Sequence, residues 1–217
     1  MSDLKPLIVI GGGGHASVLV DILRSQQRAI LGVVSPDELT ARAAFDGLSH
    51  WYQDDAILSF PSDEVKLING IGALPHSKLR CRLNEYFLTH GYQFETVIAP
   101  AASVSPFATI EAGAQILTHA IVQAGAMIGS HSIINTGALV EHDCMIGEYN
   151  HIAPRATLCG QVQTEDHVFI GAGATVIQDV HLAEHALVGA GAVVTKHLTA
   201  NTVCYSSRST ITKRHTN

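Results

Sequence analysis

Charge is scarce in this chain. Only 15% of its 217 residues are Asp, Glu, Lys or Arg, and aromatic residues reach just 6%, with a single tryptophan. The formal net charge is -6 and no basic stripe breaks it, so a nucleic-acid partner is not expected. The four cysteines (Cys81, Cys144, Cys159 and Cys204) show neither CxxC spacing nor a disulfide-dense pattern. That usage fits a reducing compartment, and a cytoplasmic location is expected. Long apolar runs are also missing. Pro6–Ile10 and Ala186–Val194 are short or broken by glycine, far below the ~20 residues of a membrane span. No charged segment leads into an apolar run of signal-peptide type.

What the chain does have is a period. Every sixth residue from Ile98 to Val194 is aliphatic in sixteen of seventeen cases, Thr164 being the exception, and no insertion breaks the register. Four residues further on the side chain is mostly small: Ala108, Ala114, Ala120, Ala126, Ser132, Ala138, Cys144, Ala156, Ala174 and Ala186. Neither an α-helix nor an alternating strand has period six. The pattern is the hexapeptide repeat of a parallel β-helix, in which three hexads close one triangular coil. Seventeen hexads then make nearly six coils, roughly 27 Å tall at the ~4.8 Å strand spacing. Cys144 belongs to the small inward column and is expected in the core.

The first 96 residues read differently. Strands are expected at Leu7–Ile10, Ile30–Val34 and Val65–Ile68. Helices are expected at His15–Gln26, with Val18, Leu19, Ile22 and Leu23 on one face, and at Ser77–His90, closed by Gly91. This alternation predicts a small parallel α/β sheet, a Rossmann-like βαβ domain over 1–96, followed by the β-helix over 97–217. The loop "GGGGHA" between the first strand and helix has the form G-x-G-x-x-A, and Asp37 lies about 20 residues on. A nicotinamide cofactor would match that form, but only half of a doubly wound dinucleotide fold precedes the repeat. The loop is therefore read as an anion seat at a helix N-terminus.

In a regular coil, an unusual residue at a regular position stands out. Two residues after each aliphatic, His142 is the only histidine in its column. Its neighbours one coil away are Ala124 and Gly160, which leave its ring room. Glu141 and Asp143 flank it. An imidazole titrates near ~6.5, and a carboxylate on its other nitrogen fixes the tautomer and stabilises the imidazolium, the arrangement of a general base. A solvated turn histidine between two solvated acids is the plain alternative.

The stretch "GALVEHDCMIGEYNHIAPRATLCG" resembles the active-site region of bacterial nucleotide-amino-sugar N-acetyltransferases of the bacillosamine-pathway type and of related sialic acid O-acetyltransferases. The resemblance runs over nearly the whole chain, including the glycine loop and the helix before "FETVIAP". It implies a Rossmann-like domain joined to a left-handed β-helix, homotrimers and acetyl-CoA as co-substrate, with no metal. It implies His142 as general base and Asp143 as its acidic partner, where relatives often carry glutamate, with Glu141 in reserve. His151 would contact acetyl-CoA near the thioester, the Gly160 N–H would lie near the reacting carbonyl, and Ala172 and Ala190 would complete the cofactor contacts. Gly11, Gly12, Gly13, Gly14 and His15 would seat the diphosphate of a nucleotide sugar, with Asp37 near the nucleoside and Gly72 beside them. Where relatives end the repeat in a G-N-P-A-K-like turn, this chain reads "YSSRSTITKR", leaving Lys196, Arg208, Lys213 and Arg214 for the CoA phosphates.

The expected reaction is acetyl transfer to the amine of a UDP- or dTDP-linked 4-amino-4,6-dideoxy sugar. O-acetylation of a sialic-type sugar is the runner-up. A zinc-dependent β-helix hydratase is a remote alternative, because the histidines (His119, His131, His142, His151, His167, His181 and His185) lack the spacing that converges three of them on a metal. His142 and His151 lie nine residues apart, half a coil, so a site using both is expected between two subunits.

Overall fold

The computed structural model describes residues 4–39, 42–75 and 77–206. The N-terminal domain is a four-stranded parallel sheet of β1 (Leu7–Ile10), β2 (Ile30–Val34), β3 (Ser49–Trp51) and β4 (Lys66–Asn69), in the order β3-β2-β1-β4. All four residues of β1 are buried, which is why it reads as an unbroken apolar run: both faces of a parallel sheet are covered. Helix α1 (Gly14–Ser25) lies on one face and α2 (Leu79–Thr89) on the other. The β3 strand was not expected. Its three residues are too short to show an alternation, and pairing with β2 defines it. Helix α1 buries Ala16, Leu19, Val20, Ile22 and Leu23, whereas Val18, expected on the inner face, is exposed. Gly91 closes α2 as expected, with φ at +83°.

From Val97 the chain winds into a β-helix of the hexapeptide type. Up to Val193–Val194 the two-residue strands pair in parallel at a spacing of eighteen residues, as Met127 with Met145 and Ile134 with Ile152, so three hexads make one coil; the last pairing, Leu187 with Val203, is two residues shorter. The coils present three faces. The first carries seven strands from Val97–Ile98 to Val203–Cys204, the second six from Ser103–Val104 to Val193–Val194, and the third five from Thr109–Ile110 to His181–Leu182. From Val104 onward the aliphatic column fills the interior, with Cys144 buried among it, whereas Ile98 is exposed. Thr164, its one polar member, is inside too and is satisfied there. The Asn150 side-chain amide donates to Thr164 Oγ1 at 2.6 Å, and Asn150 Oδ1 accepts the Val168 N–H at 2.5 Å. A buried polar group is tolerated in this core because its partners are also inside. The corners demand left-handed backbone, which Asp143, Tyr149 and His167 adopt at φ of 59°, 53° and 60°.

The N-terminal domain sits on the first face. Leu19, Val20 and Leu23 of α1 share a buried cluster with Val97, Leu117 and Ile133. Among the described residues the third face has no such cover: Met127 and Met145 are 43% and 51% exposed. The corner between the second and third faces is thus opposite the face that carries the N-terminal domain.

Candidate functional site

Strand order reverses around β1, with β2 and β3 on one side and β4 on the other. Ligand crevices of parallel sheets form at such a switch point, beyond the C-terminal ends of the strands. Here the crevice is bounded by Gly11–Gly14 after β1 and by Asn69–Gly72 after β4. The two loops approach closely because Gly11 and Gly70 carry no side chain at their contacts. A Cβ on Gly11 would lie 2.6 Å from Ile71 Cδ1, and one on Gly70 would lie 2.6 Å from Ala16 Cβ. Among the described residues nothing comes within 4 Å of a Cβ placed on Gly13, which begins α1 without a side-chain cap, so the first-turn N–H groups can meet an anion. His15 packs its Cβ 3.6 Å from the Cβ position of Gly72. Gly11–Gly14, His15 and Gly72 therefore come together. Asp37 is exposed on the β2 side, where its N–H donates to Ser35 Oγ at 3.3 Å and Ser35 in turn faces Gly12.

His151 stands on the first face at the rim of the same crevice. Its Nδ1 donates to the Ala73 carbonyl at 2.9 Å, and its Nε2 is 3.0 Å from the Asn135 amide. Burial pushes the pKa values of His15 and His151 down to about 4, and the Arg80 guanidinium adds to both shifts. Arg80 is buried under the crevice. Its Nη1 donates to the carbonyls of Asn69 and Ile71, and its Nη2 to that of His131.

His142 lies elsewhere, at the corner between the second and third faces. Its Nδ1 is 2.9 Å from Asp143 Oδ2, and both side chains are more than half exposed. Asp143 reaches back because the corner holds it in the left-handed conformation. Glu141 makes only a 3.4 Å contact from Oε2 to the His142 N–H, so Asp143 is the acid on the ring. The ring's other nitrogen faces Gly160: a Cβ there would lie 2.6 Å from Nε2. Among the described residues the Gly160 N–H donates no hydrogen bond. Ala172 and Ala190 stack at the opposite edge of the second face, where the Gly191 N–H donates to the Ala172 carbonyl at 2.9 Å. Within one chain, then, His142 and Gly160 meet, and His151 meets the glycine-loop crevice, but the two groups do not meet each other.

Cys144 is buried, and burial pushes its thiol up to about 11, which suits a core residue and not a nucleophile. Lys196 is exposed, whereas Arg208, Lys213 and Arg214 lie outside the described residues. His181 Nε2 pairs with Glu165 Oε1 at 3.3 Å. Among the described residues no three His, Cys, Asp or Glu side chains gather as a metal site, and no helix is long and apolar enough to cross a membrane. Sequence reasoning missed Arg80, Asn135 and Gln115. Only Gln115 had a signal, being a polar residue in the outward column that holds Val97 and Ile133.

Comparison with known proteins gives a consistent result. Residues 6–85 match the PglD N-terminal domain, and residues 162–196 match the bacterial transferase hexapeptide (six repeats). Over 101 residues the chain is 36% identical to GDP-perosamine N-acetyltransferase of Escherichia coli O157:H7; this stretch is 46% of either protein, so the match spans less than half of that relative. The crystal structure of PerB from Caulobacter crescentus, in complex with CoA and GDP-perosamine, is similar over 94% of this chain and 95% of that one, with 30% identity and a TM-score of 0.82. The acetyltransferase domain of PglB from Neisseria gonorrhoeae FA1090, in complex with acetyl coenzyme A, is similar over 93% and 96%, with 26% identity and a TM-score of 0.81.

Proposed function

We infer the reaction from the family to which this chain belongs, the hexapeptide-repeat N-acetyltransferases of nucleotide-linked amino sugars with a PglD-type N-terminal domain. The chain transfers the acetyl group of acetyl-CoA to the amine of a nucleotide-linked amino sugar. The sequence resemblance pointed to a uridine or thymidine carrier. The relatives named for GDP-perosamine favour a guanosine diphosphate carrier instead.

The observation that carries this reading is the His142 ring, held at Nδ1 by Asp143 and facing Gly160 with Nε2. His142 accepts a proton at Nε2 as the sugar amine attacks the thioester carbonyl. Asp143 keeps Nδ1 protonated and balances the imidazolium. The charge that develops on the carbonyl oxygen is met by the free N–H of Gly160, and the CoA thiolate leaves. No residue is acylated. The small Gly160, Ala172 and Ala190 leave the edges of the second face open to the co-substrate.

The glycine loop and α1 hold the diphosphate, Asp37 lies on the nucleoside side, and the sugar extends over Gly72 toward His151, which meets acetyl-CoA near the thioester. Because His142 is opposite the face that carries this crevice, the reacting groups meet only between subunits. A cyclic trimer, with the crevice and His151 of one subunit beside His142 of the next, satisfies that geometry. The testing experiment presents acetyl-CoA with a panel of GDP-, UDP- and dTDP-linked 4-amino sugars and follows CoA release by thiol titration. Turnover of at least one member, with GDP-linked sugar preferred, is expected. Turnover of none contradicts the reading.

A further inference from the structure

Gln115 is an amide buried where its column neighbours are apolar. It stands on the first face beside Val97 and Ile133, is 1% exposed, and lies directly beneath the crevice. A buried amide is costly unless its groups are paired, and here both ends are. Its Nε2 donates to the Asn69 carbonyl at 2.9 Å, and its Oε1 is 2.8 Å from His15 Nε2.

The orientation of that amide follows from its partner. A backbone carbonyl only accepts, so the NH₂ end must face Asn69, and Oε1 must face His15. Turning the amide over would set two carbonyl oxygens against each other. Asn69 cannot move to relieve this, because its Nδ2 donates to the Arg80 carbonyl at 3.0 Å and to Asn84 Oδ1 at 2.6 Å, and Arg80 Nη1 donates to its carbonyl. The nitrogen of His15 that meets Oε1 therefore carries the proton. Burial and the charge of Arg80 keep the ring neutral at pH 7, and the ring of His151 nearby is neutral as well. The Nδ1 of His15 has no hydrogen-bond partner among the described residues.

We propose that Gln115 is a positioning residue, whose amide, set between the Asn69 carbonyl and His15, locks His15 as the Nε2-protonated tautomer and leaves Nδ1 as an acceptor for a hydroxyl of the nucleotide sugar. The inference rests on the proposed function for the identity of the ligand and changes the role of one residue. The sequence reading seated His15 with the diphosphate. A bare Nδ1 repels phosphate oxygen and accepts only from a donor, so the diphosphate is left to the loop N–H groups and His15 reads the sugar.

The test uses the full chain labelled with ¹⁵N-histidine and two-bond ¹H–¹⁵N NMR. Without ligand at pH 7, His15 is expected to be protonated at Nε2 and bare at Nδ1. A mixed or Nδ1-protonated tautomer overturns the proposal, and this readout needs no turnover. Addition of GDP alone should leave the Nδ1 resonance in place, while a GDP-linked amino sugar that the enzyme acetylates should move it. Equal shifts with both would overturn the sugar assignment. In kinetics, Gln115→Leu should raise KM for the nucleotide sugar about tenfold, the loss of one buried hydrogen bond, while KM for acetyl-CoA and kcat stay within about twofold. Gln115→Glu offers an oxygen to Nε2–H but sets its other oxygen against the Asn69 carbonyl, which Gln115 Nε2 meets at 2.9 Å, and should not recover the lost affinity. An unchanged KM in a folded Gln115→Leu protein contradicts the assignment. Failure of the wild-type chain to acetylate any nucleotide sugar contradicts the proposed function and leaves the tautomer result standing.

Discussion

The ring of His142 rests against the backbone of Gly160, one coil away, so closely that a methyl group on Gly160 would lie 2.6 Å from Nε2. The nitrogen proposed to take the proton and the N–H proposed to meet the oxyanion are thereby neighbours. Gly160→Ala should push the ring aside and lower kcat by roughly 10- to 100-fold, the range attached to a displaced base. The melting temperature should change little, because a side chain at the open corner can swing away. Steady-state kinetics and a thermal melt on the same preparation check both halves.

Asp143 and Glu141 flank the same histidine but are not equivalent. Only Asp143 reaches Nδ1, at 2.9 Å, while Glu141 touches the backbone N–H at 3.4 Å. Asp143→Asn should lower kcat by about 10²-fold through loss of the tautomer and of the counter-charge. The fold should survive, because asparagine accepts the left-handed conformation found at this corner (φ 59°). Glu141→Gln should stay within about threefold of wild type. Equal losses in the two variants would show that the 2.9 Å contact does not decide the base's partner.

Separation of His142 from His151 within one chain leads to a complementation experiment. His142→Ala and His151→Ala proteins, each weak alone, should regain activity when unfolded together and refolded as mixed oligomers, because some interfaces then pair two intact halves. Activity no higher than that of the parents would mean that both histidines serve from the same subunit.

The buried histidines make stability sensitive to acid. His15, His131 and His151 have pKa values pushed down to about 4, chiefly by burial. In the unfolded chain these rings take up protons near pH ~6.5, whereas in the folded one they do so only near 4. The unfolded state thus binds more protons throughout that window, and stability falls as pH drops from about 6.5 to 4. Calorimetry should show Tm lower at pH 5 than at pH 7.5, by roughly 2–4 °C for each kcal/mol lost. A flat profile across the window contradicts the buried, neutral state of these rings.

Much of this architecture is legible in the sequence because a coil repeats. The column from Ile98 to Val194 sets eighteen-residue pairing, which in turn places His142 beside Gly160. The N-terminal strands are equally plain where both faces are buried, as at Leu7–Ile10. Contacts between the two folds are not legible. Nothing in the spacing of His15 and Gln115, 100 residues apart, announces that they touch, and Arg80 gives no sign in α2 that it is buried across three carbonyls. Asn150 is hidden for another reason: it occupies a small-residue position, and only the polar exception Thr164 one hexad column away explains it. Periodicity reports on neighbours within a repeat, and these contacts join elements that share no repeat.

The most direct measurement is CoA release by His142→Ala against wild type, with acetyl-CoA and a GDP-linked 4-amino sugar at saturating concentrations. Loss of the general base predicts a fall in kcat of about 10²-fold or more, with the nucleotide sugar still bound. A variant that keeps turnover within about threefold of wild type would contradict the assignment of His142, and with it the account of how this coil does chemistry.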